Sequence, residues 1–307
     1  MEHIQTKSMR FMAEKSLKPS KEENIMETYG TLTLCATPIG NLEDITYRVV
    51  RTLQEVDFIA AEDTRHTRKL LNHFDIHTKL ISYHEHNKME KGKELIELLK
   101  QGKNLALVTD AGTPGISDPG EDIVKLAIEE GITVTSAPGA VAGITALILS
   151  GQSTRRFIFE GFLPTDKKER KALLESLKTE TRTTILYEAP HRLNKTLQLL
   201  YEALGDRSIT VTKELTKKFE FIHKTTLSGA ITYFEEVELK GEFVLVLAGK
   251  DLKTLQEEDQ KVWEEMSIEE HMNLYVNKGM DEKTAMKQVA KDRGVSKRDI
   301  YAYLHQN

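Results

Sequence analysis

Residues 110–120 form a segment whose composition favours ligand binding. This segment, DAGTPGISDPG, contains three glycines and two prolines, a density that neither a helix nor a strand interior tolerates. It carries two carboxylates, Asp110 and Asp118, and no lysine or arginine. Carboxylates and backbone groups without a cation suit a ligand that is neutral or positively charged, and the glycine-rich phosphate-binding motifs are absent. The alternative, a tight surface connection, would need only one or two glycines.

A second turn of this kind, SAPGA, lies at 136–140, directly after another short apolar strand pattern. Ligands bind at the carboxyl ends of the strands in open α/β sheets. Two Pro/Gly turns at neighbouring strand ends therefore predict a single pocket.

Charged side chains follow two further predicted strands. The sequence EDTR occupies 62–65 after a strand pattern at 56–61, and Lys213 with Glu214 ends the pattern at 208–213. Such residues either cap the next helix or belong to a site, and composition alone favours neither interpretation.

Two histidines give a candidate metal site. If the segment 81–87 were extended, His84 and His86 would lie on one face of it and could converge. No third ligand of the right type follows at a characteristic spacing. We therefore expect no metal and interpret the segment as a polar loop facing a substrate.

Alternating strands and helices would position these groups. The segment 110–120 connects a buried strand, 105–108, to a helix, 121–130, and a second strand follows at 132–135, which is a βαβ unit. From 151 onward the chain has further strand patterns, at 157–162, 183–187, 208–213 and 242–249, with a helix at 193–204. These patterns predict an α/β protein.

Together these motifs resemble the tetrapyrrole-methylase-like family of S-adenosylmethionine-dependent methyltransferases. The likeness includes a Pro/Gly turn at 37–41, after the first strand, that leads into an acidic, apolar and threonine-containing segment at 42–46. Ile39 departs from the pattern of the branch that acts on tetrapyrroles. The sequence is most similar to the branch that methylates the ribose 2′-hydroxyl of a cytidine in small-subunit (16S) ribosomal RNA, at the decoding centre. The motifs that carry this similarity are EDTR at 62–65, YEAPHR at 187–192, KELTKKFE at 213–220 and KGEFVLV at 240–246.

This resemblance implies two α/β domains with S-adenosylmethionine in the cleft between them, and a homodimer. The residues implied in cofactor binding lie in the two Pro/Gly turns and at the end of the strand 183–187: Asp110, Gly112, Thr113, Pro114, Gly115, Ile116, Ser136, Ala137, Pro138, Gly139, Leu186 and Tyr187. A hydroxyl acceptor needs a neighbouring group that takes its proton. Our candidate catalytic residues are Glu62, Asp63, Lys213 and Arg65, with Glu62 or Lys213 assisting deprotonation and Arg65 holding a phosphate.

Two alternatives remain open. A methyltransferase of the same fold could act on a tetrapyrrole or a protein side chain. The chain could also be a non-catalytic ribosome-assembly or RNA-binding factor, which need not bind the cofactor.

Composition limits the class of protein. The 307 residues, 39% hydrophobic and 30% charged, can form two domains with apolar cores and a smaller unit. No apolar run has the length of a membrane span, and the single cysteine, Cys35, fits a reducing cytoplasm. The net charge of −5 argues against non-specific coating of nucleic acid, yet four of the six residues at 166–171 are basic and could contact phosphate.

We expect four regions: a flexible extension at 1–29, an N-terminal α/β domain with the glycine-rich loop at 30–150, a second α/β domain at 151–250, and a small helical domain at 251–307. In the last, a helix at 281–292, a glycine turn and a helix capped by Ser296 form a helix-turn-helix pattern. Its second helix could bind RNA, cover the catalytic core or contact a second copy. The bases and aromatics that would serve RNA are Lys297, Arg298, Tyr301, Tyr303 and His305.

Overall fold

A computed structural model describes residues 29–305, so the flexible extension expected at 1–29 lies, apart from Tyr29, outside the described residues. The first half of this part is a five-stranded parallel sheet in the order β3-β2-β4-β1-β5. Its strands are β1 (Thr31–Cys35), β2 (Phe58–Ala61), β3 (Lys79–Ser82), β4 (Leu105–Val108) and β5 (Thr133–Ala137). The helices between and after them are α1 (Tyr47–Glu55), α2 (Thr64–His73), α3 (Lys88–Lys100), α4 (Gly120–Glu129) and α5 (Ala142–Ser150).

Both faces of this sheet are covered, as a parallel sheet requires. Alternate residues of β4 point to opposite faces: Leu105 and Leu107 pack with apolar residues of α3 and α4, while Ala106 and Val108 pack with α1 and α2. All four side chains of β4 are buried. The continuous apolar run that predicted this strand is therefore explained by burial on both faces.

The second half contains a mixed sheet in the order β6-β7-β10-β8-β9, in which only the pair β6 and β7 is parallel. Its strands are β6 (Phe157–Phe162), β7 (Thr183–Glu188), β8 (Ser208–Lys213), β9 (Phe221–Thr226) and β10 (Phe243–Leu247). One face packs against α6 (Lys167–Lys178), α7 (Leu193–Leu204) and α8 (Leu227–Glu235). The other face packs against α5, which the first half of the chain supplies.

Four helices follow the second sheet: α9 (Leu252–Glu265), α10 (Ile268–Asn277), α11 (Glu282–Asp292) and α12 (Lys297–Leu304). The last three share a small apolar core that contains Met272, Val289 and Ile300. Ser296 and Asp299 form the predicted capping box at the start of α12, and Gly294 turns the chain between α11 and α12 with φ +63°. The α/β fold class with a helical C-terminal region is thus confirmed. No helix in residues 29–305 is long and apolar enough to cross a membrane.

The segment 81–87 is extended only as far as Ser82, where β3 ends. His84 donates its backbone N–H to the side chain of Asn87 at 2.8 Å, and Asn87 donates its own N–H to the carbonyl of His84 at 3.0 Å. These two bonds close a turn, so His84 and His86 do not alternate along a strand. Among the described residues, no three metal-binding side chains are grouped in one place.

Candidate active site

A cavity of about 600 Å³ lies between the two halves of the fold. Its walls come from the segments that follow β1, β2 and β4, from the ends of β6, β7 and β8 with the residues after β7 and β8, and from the starts of α5 and β10. The lining residues are Ile39, Glu62, Thr109, Asp110, Ala111, Gly112, Thr113, Ile116, Ser117, Asp118, Val141, Ala142, Phe162, Tyr187, Glu188, Ala189, Pro190, His191, Thr212, Glu214, Leu215, Lys217, Glu242, Phe243 and Val244.

The glycine-rich loop at 110–120 is held together by one of its own carboxylates. Asp118 accepts hydrogen bonds from the backbone N–H groups of Gly115 at 2.9 Å, Ile116 at 3.1 Å and Gly120 at 2.7 Å. Gly115 has φ +89°, a conformation that glycine adopts readily. A Cβ on Gly120 would lie 2.6 Å from the Asp118 carboxylate. Asp118 therefore shapes the loop as well as facing the cavity.

The predicted cofactor residues divide into two groups. Asp110, Gly112, Thr113, Ile116 and Tyr187 line the cavity. The others do not line it: Pro114 and Gly115 complete the loop, and Leu186 is buried in the core beneath α6 to α8. Ser136 and Ala137 end β5, and Pro138 and Gly139 begin the turn that follows it.

The turn after β5 supports the loop at 110–120. Thr113 donates its hydroxyl to the carbonyl of Ala140 at 3.0 Å. A Cβ on Gly139 would lie 2.8 Å from the Cβ of Ala36, so this turn packs closely against the end of β1. The two Pro/Gly turns thus meet at one edge of the first sheet.

Glu62 is the predicted catalytic residue that lines the cavity. Its carboxyl group is partly buried at the end of β2. Burial raises the pKa of this group above its usual value, and the nearby carboxylates of Asp110 and Asp118 raise it further. A carboxylate with a raised pKa binds a proton more tightly, which suits a proton acceptor.

Asp63 and Arg65 act locally on α2. Asp63 is the N-cap of this helix, and its carboxylate forms an ion pair with Arg65 at 2.9 Å. Hydrogen bonds from the side chain and the backbone N–H of Arg65 hold the pKa of Asp63 below its usual range. The Arg65 side chain is 89% exposed, and neither residue lines the cavity.

Lys213 lies at the end of β8, outside the cavity lining, with its Nζ 6.0 Å from the centre of the Phe243 ring. The next residue, Glu214, lines the cavity and has φ +53°, which is unusual for a residue other than glycine. A Cβ on Gly40 would lie 2.7 Å from the carbonyl oxygen of Leu215. The segments after β1 and after β8 therefore approach each other closely, and they join the two halves beside the cavity.

Glu188 organises the wall that the second sheet contributes, although sequence reasoning gave it no role. Its buried carboxylate accepts hydrogen bonds from the Thr196 hydroxyl at 2.5 Å and the Ala189 N–H at 2.8 Å. Arg192 pairs with the same carboxylate at 3.3 Å. The only sequence signal was its place in the motif YEAPHR, since Thr196 lies two turns further along the chain.

The cavity is strongly acidic. Six of the lining residues are carboxylic acids: Glu62, Asp110, Asp118, Glu188, Glu214 and Glu242. Among the same lining residues the basic ones are His191 and Lys217, and Lys217 forms an ion pair with Glu214 at 3.0 Å. Such a surface attracts a cationic ligand and repels phosphate.

Comparisons with known proteins agree with this arrangement. Residues 31–231 match the family described as Tetrapyrrole (Corrin/Porphyrin) Methylases. A protein of Halalkalibacterium halodurans named "Ribosomal RNA small subunit methyltransferase I" is 53% identical over 277 residues, which cover 90% of this chain and 95% of that protein. A protein of the same name from Bacillus subtilis is 51% identical over 276 residues, covering 90% and 94% of the two chains.

Solved structures resemble the fold at low sequence identity. Diphthine synthase superposes with a TM-score of 0.55 at 17% identity, covering 71% of this chain and 90% of its own. Uroporphyrin-III-C-methyltransferase from Thermus thermophilus gives 0.51 at 16% identity, with coverages of 71% and 94%. These two likenesses concern the fold alone.

Proposed function

We infer the function from the family to which the chain belongs, the tetrapyrrole methylases, and within them the ribosomal RNA small subunit methyltransferase I proteins. The chain is an S-adenosylmethionine-dependent methyltransferase that modifies small-subunit ribosomal RNA. We propose that its acceptor is the ribose 2′-hydroxyl of a cytidine at the decoding centre, as the sequence resemblance implies.

The acidic cavity between the two sheets is the observation that carries this proposal. Its volume, about 600 Å³, lies within the range of about 300–1,000 Å³ that is typical of sites for small molecules and cofactors. S-adenosylmethionine supplies an electrophilic methyl group on a positively charged sulfur. The carboxylates of Asp110 and Asp118 favour that charge, and the backbone of Gly112 to Ile116 can lie close to the ligand.

Methyl transfer is an in-line displacement, so the protein must align the acceptor oxygen with the methyl carbon and exclude water. The bond from oxygen to carbon forms as the bond from carbon to sulfur breaks, and the hydroxyl proton must leave. We assign Glu62 as the acceptor of this proton, because its carboxylate lines the cavity and has a raised pKa. Lys213 is the alternative acceptor, but it lies outside the lining.

In this proposal, basic side chains outside the cavity lining contact the phosphates of the RNA. Arg65 is exposed beside Glu62 in sequence, and the basic start of α6 follows Phe162 of the cavity lining. Lys167, Lys168 and Lys171 are exposed there. Each could hold the RNA backbone while one nucleotide enters the cavity.

We also propose a homodimer, which an exposed apolar surface supports. The rings of Phe159 and Phe162 on the edge strand β6 contact that of Tyr187, with centres 5.0 and 5.8 Å apart. Tyr187 accepts a hydrogen bond from the N–H of Gly143 at the start of α5. Tyr187 thus contacts both β6 and the start of α5, and both elements carry exposed apolar residues: Phe157, Phe159, Phe162, Ile144 and Ile148. We propose that these five residues form the dimer surface. The site of action that fits this substrate is the cytoplasm.

The decisive experiment measures tritium transfer from labelled S-adenosylmethionine to small ribosomal subunits, free RNA and protein in parallel. We expect label in RNA, and one linkage that resists alkali, because a methylated 2′-oxygen cannot attack the adjacent phosphate. Label in protein alone, or in RNA that alkali cleaves completely, would contradict the proposal. Calorimetry with S-adenosylmethionine separates the enzyme from an assembly factor, since only the enzyme must bind the cofactor.

A further inference from the structure

The acidic cavity is unsuited to holding the RNA backbone. RNA carries one negative charge per phosphate, and a pocket lined with carboxylates repels it. The grip on the backbone must therefore come from basic surfaces elsewhere on the protein.

Helix α11 carries a row of exposed cations. Lys283, Lys287 and Lys291 follow one another at intervals of four residues, so they lie along one side of the helix about 6 Å apart. The apolar residues Ala285, Met286, Val289 and Ala290 occupy a different face and form the core shared with α10 and α12. The lysine row consequently points away from that core.

The acids of α11 and α12 do not neutralise this row. Asp281 caps α11 through Thr284, and Asp299 caps α12 through Ser296. Glu282, in the first turn of α11, is exposed and belongs to none of the ion pairs among the described residues. Asp292 accepts hydrogen bonds from Tyr275 and Gln288. Within residues 29–305, no ion pair of 4.0 Å or less involves any of the three lysines.

The exposed side of α12 adds bases and flat rings. Lys297 and Arg298 lie in its first turn, and neither belongs to an ion pair among the described residues. The rings of Tyr301 and His305 lie with their centres 4.1 Å apart and their planes tilted by 30°, and both side chains are exposed. Cations beside exposed aromatic rings are typical of surfaces that bind single-stranded nucleic acid, where rings stack on bases.

We propose that the lysine row of α11, together with the exposed face of α12, docks the phosphate backbone of the ribosomal RNA substrate. This inference rests on the proposed function and extends it to a second contact outside the cavity. The lysine row supplies affinity for RNA, and the cavity supplies the chemistry. Loss of the lysine row should therefore weaken RNA binding without changing cofactor binding or the rate of methyl transfer in the bound complex.

The test uses the full chain and replaces all three lysines of the row with glutamine (Lys283→Gln, Lys287→Gln, Lys291→Gln). A matched control replaces three exposed lysines of the first half, Lys79, Lys93 and Lys125, with glutamine. Anisotropy of a labelled fragment of small-subunit ribosomal RNA gives the affinity over a series of salt concentrations. We expect the row variant to bind about tenfold or more weakly, with a salt slope smaller by about two, because each of the three phosphate contacts contributes about 0.7 on single-stranded nucleic acid.

Methylation kinetics and a charge-preserving variant complete the test. In the row variant KM for the RNA should rise while kcat and the Kd for S-adenosylmethionine stay unchanged, and arginine at the same three positions should restore binding. Equal binding by the row variant and the wild type, or equal losses in both glutamine variants, would overturn the proposal. Binding to vesicles of phosphatidylcholine and phosphatidylglycerol is measured in parallel. A variant that loses binding to the vesicles but keeps its affinity for RNA would also overturn the proposal. Anisotropy needs no methyl transfer, so this outcome is read independently of the proposed function.

Discussion

Glu62 shows how position alone gives a carboxylate a chemical role. It ends a buried strand, faces two other carboxylates and lines the cavity, and its pKa is raised as a result. Asp63, its neighbour, caps a helix, and its pKa is lowered by hydrogen bonds from Arg65. Two adjacent acids therefore differ in proton affinity because one is desolvated and the other is bonded to a cation.

We predict that Glu62→Gln lowers the single-turnover rate of methyl transfer by about a hundredfold or more, since a positioned base contributes on this scale. Cofactor affinity should change little, because the amide retains the size of the side chain. In the wild type the rate should rise with pH through the pKa of Glu62, as the active form is the deprotonated one, and this rise should be absent in the variant. An unchanged rate in Glu62→Gln would exclude Glu62 as the base.

Asp118 is expected to act through the loop that it shapes. Asp118→Ala leaves three N–H groups of the loop without their acceptor, and the loss of one charged hydrogen bond costs about 1.5–3 kcal/mol. We predict that the affinity for S-adenosylmethionine falls by about tenfold or more, measured by calorimetry.

The matched control is Asp122→Ala, which removes an exposed carboxylate two residues into α4 that pairs with Lys88 at 2.8 Å. A surface pair of this kind contributes little, so cofactor affinity should be retained. Equal losses in the two variants would show that the effect of Asp118 is not specific to the loop.

At the scale of secondary-structure elements, the sequence predicts those elements that depend on residues adjacent in the chain. The apolar run of β4, the glycines and prolines at 110–120 and the helix α4 are consecutive, and all three are found. The strand β9 was not predicted, because four of the six residues in its sequence FIHKTT are polar and the strand exists by pairing with β8. The role of Glu188 was missed for a similar reason, since it depends on partners that only the folded chain brings together.

The helical C-terminal region should be sensitive to pH through His271. This side chain is fully buried, stacks on Trp263 at 4.1 Å and accepts a hydrogen bond from Arg293. Burial and the charge of Arg293 lower the pKa of His271. Asp292, 3.4 Å away, raises it by less, so the pKa lies below its usual value. Below the unfolded value of about 6.5, the unfolded state takes up a proton that the folded state resists. We therefore predict that stability is full above this pH and declines as the pH falls toward the lowered pKa.

Trp263 is the only tryptophan of the chain, so its fluorescence reports on this region. Denaturant unfolding followed at Trp263 should give a midpoint that decreases between neutral and mildly acidic pH. In His271→Gln the corresponding decrease should be smaller, because the titrating group is gone. The same pH dependence in both proteins would assign it to other groups.

At the scale of the whole molecule, charge and apolar surface are divided among the parts. The cavity is acidic, the exposed faces of α6, α11 and α12 carry unneutralised bases among the described residues, and α5 joins the two halves by packing on the second sheet. This division lets one protein hold a cationic cofactor and a polyanionic substrate at separate surfaces. The outward face of α5 then remains as apolar area beside the cavity.

A second copy of the chain is expected to cover that area, and two matched isoleucines test this. Ile148 on α5 is 66% exposed and lies on the proposed dimer surface, whereas Ile128 on α4 is 63% exposed and lies apart from it. We predict that Ile148→Glu shifts the protein from dimer to monomer in sedimentation velocity, since a carboxylate would be buried without a partner. Because the surface includes Phe162 and adjoins Tyr187, and both residues line the cavity, cofactor affinity should also fall. Ile128→Glu should leave both properties unchanged, and a monomeric wild type would contradict the dimer.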